Sequence, residues 1–128
     1  MNRYSFALIG SLSAIISARM YVALGGSLNY SFLGHELHHF YYGIALLILA
    51  AFLKRMKSPE SLLFFITGMA LGFIADESDL LLSIGRPYTL QLYNEPLNLA
   101  MDIILVLMLW KFSSNGPAYY YTRSEVRA

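Results

Sequence analysis

The sequence predicts an all-helical fold, a bundle of four transmembrane helices that makes up a single integral membrane domain over residues 1–128. Hydrophobic residues account for 57% of the chain and charged residues for 13%, and the mean hydropathy is +0.52. Charges are confined mainly to short intervals between apolar stretches, which is typical of a multi-pass protein of the cell membrane. The chain has no cysteine, which excludes disulfides and thiolate metal sites. Its net charge of +1 gives no reason to expect nucleic acid as a partner.

Four apolar stretches are long enough to cross a hydrocarbon layer of about 30 Å, which takes about 20 residues. They are predicted at 4–25, 35–53, 61–84 and 95–112. A glycine pair, a basic segment and a segment with two prolines separate them. Pro59 and Pro96 suit the first turns of the helices that follow.

The basic residues predict the orientation of these helices. Lysine and arginine occur at Arg3, at 54–57 and from Lys111 onward, whereas the other two connections hold only Arg86. By the positive-inside rule, both termini and the middle loop are cytoplasmic. A cleaved signal peptide over residues 1–18 is the alternative, because the chain begins with a basic residue and a short apolar run. We favour a retained helix, since apolar residues continue beyond Arg19.

Polar side chains from all four predicted helices fall at a similar depth in the bilayer. Counting 1.5 Å per residue from the nearest cytoplasmic charge places Arg19, His39, Asp76 and Glu95 roughly 22 to 24 Å from that interface. A charged group in hydrocarbon costs at least ~2.5 kcal/mol, so such groups pair with each other or bind a ligand. The sequence therefore predicts a buried polar site in the outer leaflet.

Histidines and carboxylates at one level predict a mixed nitrogen and oxygen metal site. Zinc, manganese and iron all accept such ligands. A helix through this segment would place His35 and His39 on one face, four residues apart. Glu77 or Glu36 would then activate a metal-bound water as the catalytic residue. The predicted metal ligands are His35, His38, His39 and Asp76, and the predicted substrate-binding residues are Arg19, Asp79, Glu95, Asn98 and Asp102.

The segment from Gly34 to Gly43, together with 72–77, resembles a family of small, largely uncharacterised prokaryotic integral membrane proteins. In that family the second helix carries a His-x-His-His-aromatic-x-aromatic-Gly pattern, and the third a glycine-rich run ending in Asp-Glu. The matching positions are His38, His39, Phe40, Tyr42, Gly43, Asp76 and Glu77. Glu36 stands where the family has its first histidine, with His35 beside it. The resemblance implies a site in these two helices and implies no particular reaction.

Three classes of function stay open at the level of sequence. The first is a metal-dependent hydrolase or transferase that acts on a lipid or lipid-linked substrate from the outer leaflet, with Arg19 holding a phosphate or carboxylate. The second is a noncatalytic small subunit or assembly factor of a larger membrane complex, or a homo-oligomer, in which the polar layer joins helices. The third, an ion or proton pathway, is disfavoured because the cytoplasmic halves of the helices are almost entirely apolar.

Overall fold

Four long helices dominate the structure, which is a computed structural model. It describes residues 1–26, 30–32, 35–78 and 90–115. The side chains of residues 30–32, 35–37, 90 and 92 are not described. The chain forms α1 (Arg3–Ala23), β1 (Tyr30–Phe32), β2 (His35–Leu37), α2 (His39–Arg55), α3 (Glu60–Asp76), α4 (Leu90–Tyr93) and α5 (Pro96–Asn115). The two strands pair antiparallel as a hairpin, with Tyr30 opposite Leu37. The predicted all-helical fold is confirmed at the level of the four long helices, and the short hairpin is an addition to it.

Two of the predicted helix boundaries are wrong, and both errors lie next to the polar residues. α2 begins at His39 rather than at 35, because residues 35–37 pair with the first strand. His35 therefore does not share a helical face with His39. α3 ends at Asp76, and Glu77 is its C-cap with φ −125° and ψ 31°, whereas the prediction extended to 84. In a continuous helix, the consecutive side chains of Asp76 and Glu77 would point about 100° apart. Because the helix ends between them, both carboxyl groups are buried.

Small residues let α1 and α3 approach closely. A Cβ added to Gly68 would collide with the backbone of Ala7, and one added to Gly10 would collide with the carbonyl group of Phe65. At Gly72 the added Cβ would lie 2.7 Å from the carbonyl oxygen of Ser11. Gly68 and Gly72 are four residues apart, as in the GxxxG pattern by which membrane helices pack backbone against backbone. This contact places the C-terminal end of α3 beside the last turns of α1.

The other two long helices pack against this pair through different contacts. α2 contacts α3 through Gly43, whose added Cβ would lie 2.8 Å from the carbonyl oxygen of Ala70. α5 packs against α1 and α3. Leu109 of α5, with Ala7 and Leu8 of α1, makes a small apolar core.

Asn2 joins the beginning of α1 to the end of α5. Its side-chain oxygen accepts a hydrogen bond from Ser5 N at 3.0 Å, which caps α1. Its amide nitrogen donates to the carbonyl oxygen of Ser113 at 2.6 Å, which satisfies one of the last carbonyls of α5. The N-terminus of α1 and the C-terminus of α5 therefore lie at the same end of the bundle, opposite to the hairpin.

Apolar side chains cover much of the outer surface of the bundle. Within the described part of the chain, α1 and α5 are the two helices whose length and composition would allow them to cross a membrane. α2 and α3 have 17 residues each. Ile48 and Phe52 of α2 are 68% and 58% exposed, and Leu107 and Trp110 of α5 are 60% and 64% exposed. In water so much exposed apolar surface would be unfavourable, at about 25 cal/mol for each Å².

Candidate functional site

Arg19 lies at the centre of an ionic cluster that joins α1, α3 and α5. Its Nε is 2.8 Å from Asp76 Oδ1, and its Nη2 donates to Asp102 Oδ2 at 3.0 Å. Asp76 is fully buried and the Asp102 side chain is 6% exposed, whereas the arginine side chain is 27% exposed. The two carboxyl groups also interact with each other. One guanidinium group therefore serves two buried carboxyl groups, and a charge-assisted contact holds each helix to the next.

Tyr93 closes the buried side of this cluster. Its hydroxyl donates to Asp76 Oδ2 at 2.5 Å, and the guanidinium carbon of Arg19 lies 5.0 Å from the centre of its ring. Burial raises the pKa of Tyr93, and the neighbouring carboxylate of Asp76 raises it further. The phenol therefore stays protonated at neutral pH and acts as a hydrogen-bond donor. Tyr93 is 1% exposed, so this short bond is shielded from water.

Asn98 fixes the loop that carries Tyr93. Its amide nitrogen donates to the Tyr93 carbonyl oxygen at 3.2 Å, and its amide oxygen accepts a hydrogen bond from the Ser78 hydroxyl at 3.2 Å. The asparagine side chain is completely buried. It thereby ties the segment before α5 to the end of α3, and holds the phenol against Asp76.

Glu77 joins the end of α3 to the beginning of α2. Its Oε2 accepts a hydrogen bond from Phe40 N at 2.8 Å, so the carboxylate takes up one of the unsatisfied amide groups in the first turn of α2. Its Oε1 lies 3.7 Å from His39 Nδ1. The histidine ring packs near Tyr21 and Phe73, with ring centres 6.1 Å away in each case. This carboxylate can orient the imidazole and stabilise its protonated form.

The ionic cluster and the His39–Glu77 pair belong to one polar region. Asp76 and Glu77 are consecutive, and the carboxylate of Asp76 interacts electrostatically with His39 as well as with Arg19. His38, at the N-cap position of α2, is 6% exposed and packs near Tyr41, with ring centres 6.2 Å apart. The region thus combines an arginine that can donate hydrogen bonds, carboxylates that can accept them, and an imidazole that can exchange a proton.

An apolar groove lies between α1 and α5, beside the ionic cluster. Its volume is about 270 Å³. Arg19 and Asp102 stand among the lining residues, and the others are aliphatic: Ile15, Leu99, Ile103, Val106 and Leu107. The groove therefore offers a hydrocarbon chain an apolar surface next to the residues of the ionic cluster.

The structure brings together some of the residues predicted to form a site and separates others. Arg19, Asp76, Asn98 and Asp102 belong to the cluster around Tyr93, while His39 and Glu77 form the adjoining pair. Glu95 is exposed and lies immediately before α5. Asp79 lies outside the described residues, as do the side chains of His35 and Glu36.

Sequence reasoning missed Tyr93 and Ser78. A tyrosine three residues before Pro96 has the same pattern as an interfacial anchor, and a serine near a helix end is common at turns. Only the path of the chain between α3 and α5 places both next to buried carboxyl and amide groups. The sequence carried no signal that would have distinguished them.

The described members of the predicted metal-ligand set, His38, His39 and Asp76, do not form a metal-binding group among themselves. Among the side chains that the structure describes, no three histidine or acidic residues form a group suited to hold a metal ion. Asp76 is engaged instead by Arg19 and Tyr93. His39 and Glu77 supply two candidate ligands, and any third ligand would have to come from outside the described side chains. Metal binding at this site stays a prediction.

Comparisons with protein-family models, with curated proteins and with solved structures found no match to this chain. The resemblance carried by the His38–Gly43 and Asp76–Glu77 segments therefore stays a prediction.

Proposed function

We propose that this chain is a multi-pass protein of the cell membrane, with both termini cytoplasmic and the polar region in the outward half of the bundle. The lengths of α1 and α5 and the exposed apolar side chains of α2 and α5 support this arrangement. Seventeen residues of helix span about 26 Å, so α2 and α3 need only modest local thinning of a ~30 Å hydrocarbon layer. The basic residues at the ends of α2 and α5 face the cytoplasm.

We further propose that the polar region is the active site of a hydrolase or transferase that acts on a lipid or lipid-linked substrate. The observation that carries this proposal is the apolar groove between α1 and α5, whose lining includes Arg19 and Asp102 beside aliphatic residues. An acyl chain can lie against its aliphatic walls while the polar end of the lipid meets the ion pair. Arg19 can donate to an ester or phosphate oxygen, and Asp102 can accept from a hydroxyl or ammonium group.

His39 and Glu77 supply the acid and base chemistry in this proposal. In hydrolysis, the oxygen of a water molecule forms a bond to the acyl or phosphoryl centre, and His39 takes the proton that the water loses. The ester bond breaks, and the same proton passes to the oxygen of the leaving alcohol. Glu77 stabilises the protonated imidazole between these steps, at the separation of 3.7 Å between Oε1 and Nδ1. In transfer, an alcohol takes the place of water.

A divalent metal fits this chemistry only as an addition to the His39–Glu77 pair. Zinc, manganese or iron accepts imidazole and carboxylate ligands, and His35 or Glu36 is the nearest candidate along the chain for a third ligand. A bound metal would supply a more acidic water. Elemental analysis of detergent-purified protein tests this point, with His39→Ala as the matched variant.

The catalytic proposal is tested in proteoliposomes made with phosphatidylglycerol and phosphatidylethanolamine, with lipid products followed by mass spectrometry. We expect wild-type protein to convert at least one of these lipids, and His39→Ala and Glu77→Gln to lose at least ~100-fold in rate, the low end for a general base. Ser13→Ala is the control, because this exposed serine donates its hydrogen bond to the carbonyl oxygen of Ile9 in its own helix. Equal turnover in wild type and His39→Ala, at matched folding, would refute the assigned chemistry.

A noncatalytic subunit or assembly factor of a membrane complex is the second candidate. It is favoured by one specific observation, that the charge of Arg19 is already met by two carboxyl groups and the Tyr93 ring. In this alternative the cluster holds helices together, and the exposed apolar face of α5 contacts a partner or a second copy. Purification as a stable monomer, with neither metal nor a co-purifying protein, would count against it.

A further inference from the structure

A second groove opens at the other end of the bundle, where α1 and α3 begin and α2 ends. Its volume is about 530 Å³, within the ~300 to 1,000 Å³ range of small-molecule sites. Three charged residues, Arg3, Lys54 and Glu60, lie among its lining residues, which otherwise are Leu47, Ala50, Ala51, Leu63, Phe64 and Thr67.

The charged and apolar parts of this groove are separated along the helix axes. Lys54 and Glu60 lie in the last turn of α2 and the first turn of α3, whereas Leu47 and Thr67 are each seven residues further in, about 10 Å. The Thr67 hydroxyl donates to the carbonyl oxygen of Leu63 at 2.8 Å, so its donor is already used. The groove therefore has a charged mouth and an apolar interior.

The cations at the mouth are positioned to hold an anion. The guanidinium carbon of Arg3 lies 5.3 Å from the ring centre of Tyr4 and 5.4 Å from that of Phe64, and these cation–π contacts hold its head group against Phe64, which also lines the groove. Lys54 is exposed on the facing helix. With two cations and one carboxylate, the described lining has a net charge of +1. This end of the bundle is also the end that we assign to the cytoplasmic face.

We propose that this groove binds an anionic phospholipid of the cytoplasmic leaflet. Arg3 and Lys54 pair with the phosphate, Glu60 accepts a hydrogen bond from a head-group hydroxyl, and the upper part of an acyl chain lies along the apolar interior. An acidic peptide would use the cations but leave the apolar interior uncovered, and a neutral lipid would not match the net positive charge of the described lining. Basic pockets between helices at the cytoplasmic side are the usual sites for such head groups. The inference needs the membrane orientation but not the catalytic proposal.

Native mass spectrometry of protein released from detergent micelles tests this site, with phosphatidylglycerol and phosphatidylcholine as the added lipids. We expect one phosphatidylglycerol molecule to be retained at micelle concentrations where phosphatidylcholine is at least tenfold less occupied. Equal retention of the two lipids would overturn the proposal.

Charge variants distinguish lipid binding in the groove from nonspecific attraction by the basic residues at this end of the bundle. Lys54→Gln and Arg3→Gln are each expected to lower phosphatidylglycerol occupancy at least fivefold. Arg55→Gln is the matched control, since it removes the same charge from the adjacent exposed residue, which does not line the groove. If Arg55→Gln lowers occupancy as much as Lys54→Gln, a diffuse surface charge and not this site attracts the lipid, and the proposal is wrong.

Filling the groove gives a test that leaves the charges in place. Ala51→Trp adds bulk to the apolar wall and is expected to abolish lipid retention, whereas Ala100→Trp, on an exposed position of α5, is expected to preserve it. Retention by a well-folded Ala51→Trp variant would exclude the groove. A disulfide between Ala51→Cys and a cysteine introduced beyond residue 115 would show that the chain's own C-terminal segment occupies the groove, and would also overturn the proposal.

Discussion

Arg19 of α1 and Asp102 of α5 form a charge-assisted hydrogen bond of 3.0 Å across 83 positions of the chain. The same guanidinium group contacts Asp76 of α3 through Nε, so three helices depend on a single arginine. This cluster contains two carboxyl groups and one cation. Removing the cation is therefore expected to change the stability of the protein by a different amount from removing one of the carboxyl groups.

Replacing Arg19 by glutamine is expected to destabilise the protein more than replacing Asp102 by asparagine. Arg19→Gln leaves two neighbouring carboxyl groups without a cation, and removing one member of a buried pair costs ~3 to 5 kcal/mol. Because this side chain is 27% exposed, we expect about 2 kcal/mol. Asp102→Asn leaves one carboxylate facing one guanidinium and is expected to cost about half as much or less. Unfolding in detergent, followed by fluorescence of the single tryptophan, measures the loss of stability in both variants. A larger loss for Asp102→Asn than for Arg19→Gln would contradict this prediction.

Removing the hydroxyl of Tyr93 is expected to destabilise the protein by about 1.5 to 3 kcal/mol, the usual contribution of a hydrogen bond to a charged group. Tyr93→Phe keeps the ring that Arg19 contacts and deletes only the 2.5 Å bond to Asp76. Chemical unfolding at pH 7 measures the difference. Tyr21→Phe, at an exposed position, serves as the control for loss of a phenol.

The same bond predicts an alkaline dependence of stability. Burial raises the pKa of Tyr93 above its ordinary 10.0, so the folded state holds this proton more tightly than the unfolded state does. The contribution is complete below pH 10 and decreases as the pH rises above it, because the unfolded chain then releases the proton first. The wild-type protein should therefore lose stability above pH 10 more steeply than Tyr93→Phe, and parallel curves would contradict the assignment.

Adding a methyl group to Gly68 is expected to separate α1 from α3. The new Cβ would collide with the backbone of Ala7, which cannot rotate away as a side chain would. Gly68→Ala should therefore cost 1 to 3 kcal/mol or more, as overpacking usually does. Ala45→Val, at an exposed position of α2, is the control. If both variants unfold at the same denaturant concentration as wild type, the close contact between α1 and α3 is not present in solution.

Single cysteines can report the proposed orientation, because the natural chain has none. Asn94→Cys lies between α4 and α5, and Met56→Cys follows α2; both positions are exposed. In intact cells, a membrane-impermeant maleimide is expected to label Asn94→Cys and to label Met56→Cys only after permeabilisation. Labelling of both sites from outside would contradict the four-span topology.

Much of the helical content followed from apolar length, since α1 and α5 lie within three residues of the predicted boundaries. The errors at His35 and beyond Asp76 have a common origin. The length of an apolar segment shows only that its residues are compatible with a bilayer. Where a hairpin forms or a helix ends depends on hydrogen bonds to groups elsewhere in the chain. Tyr30–Phe32 pairing with His35–Leu37 and Glu77 binding Phe40 N are such bonds.

The sequence by itself determined that Arg19, Asp76 and Asp102 would need partners, because burying an unpaired charge among apolar residues costs free energy whatever the fold. The sequence did not determine which residues would be those partners. Tertiary structure decided that Arg19 pairs with both aspartates, that Tyr93 closes their buried side, and that Glu77 and not Asp76 faces His39. The physical reason is that partner choice depends on distances between helices. Those distances are set by glycines such as Gly68 and Gly72, which let backbones approach closely.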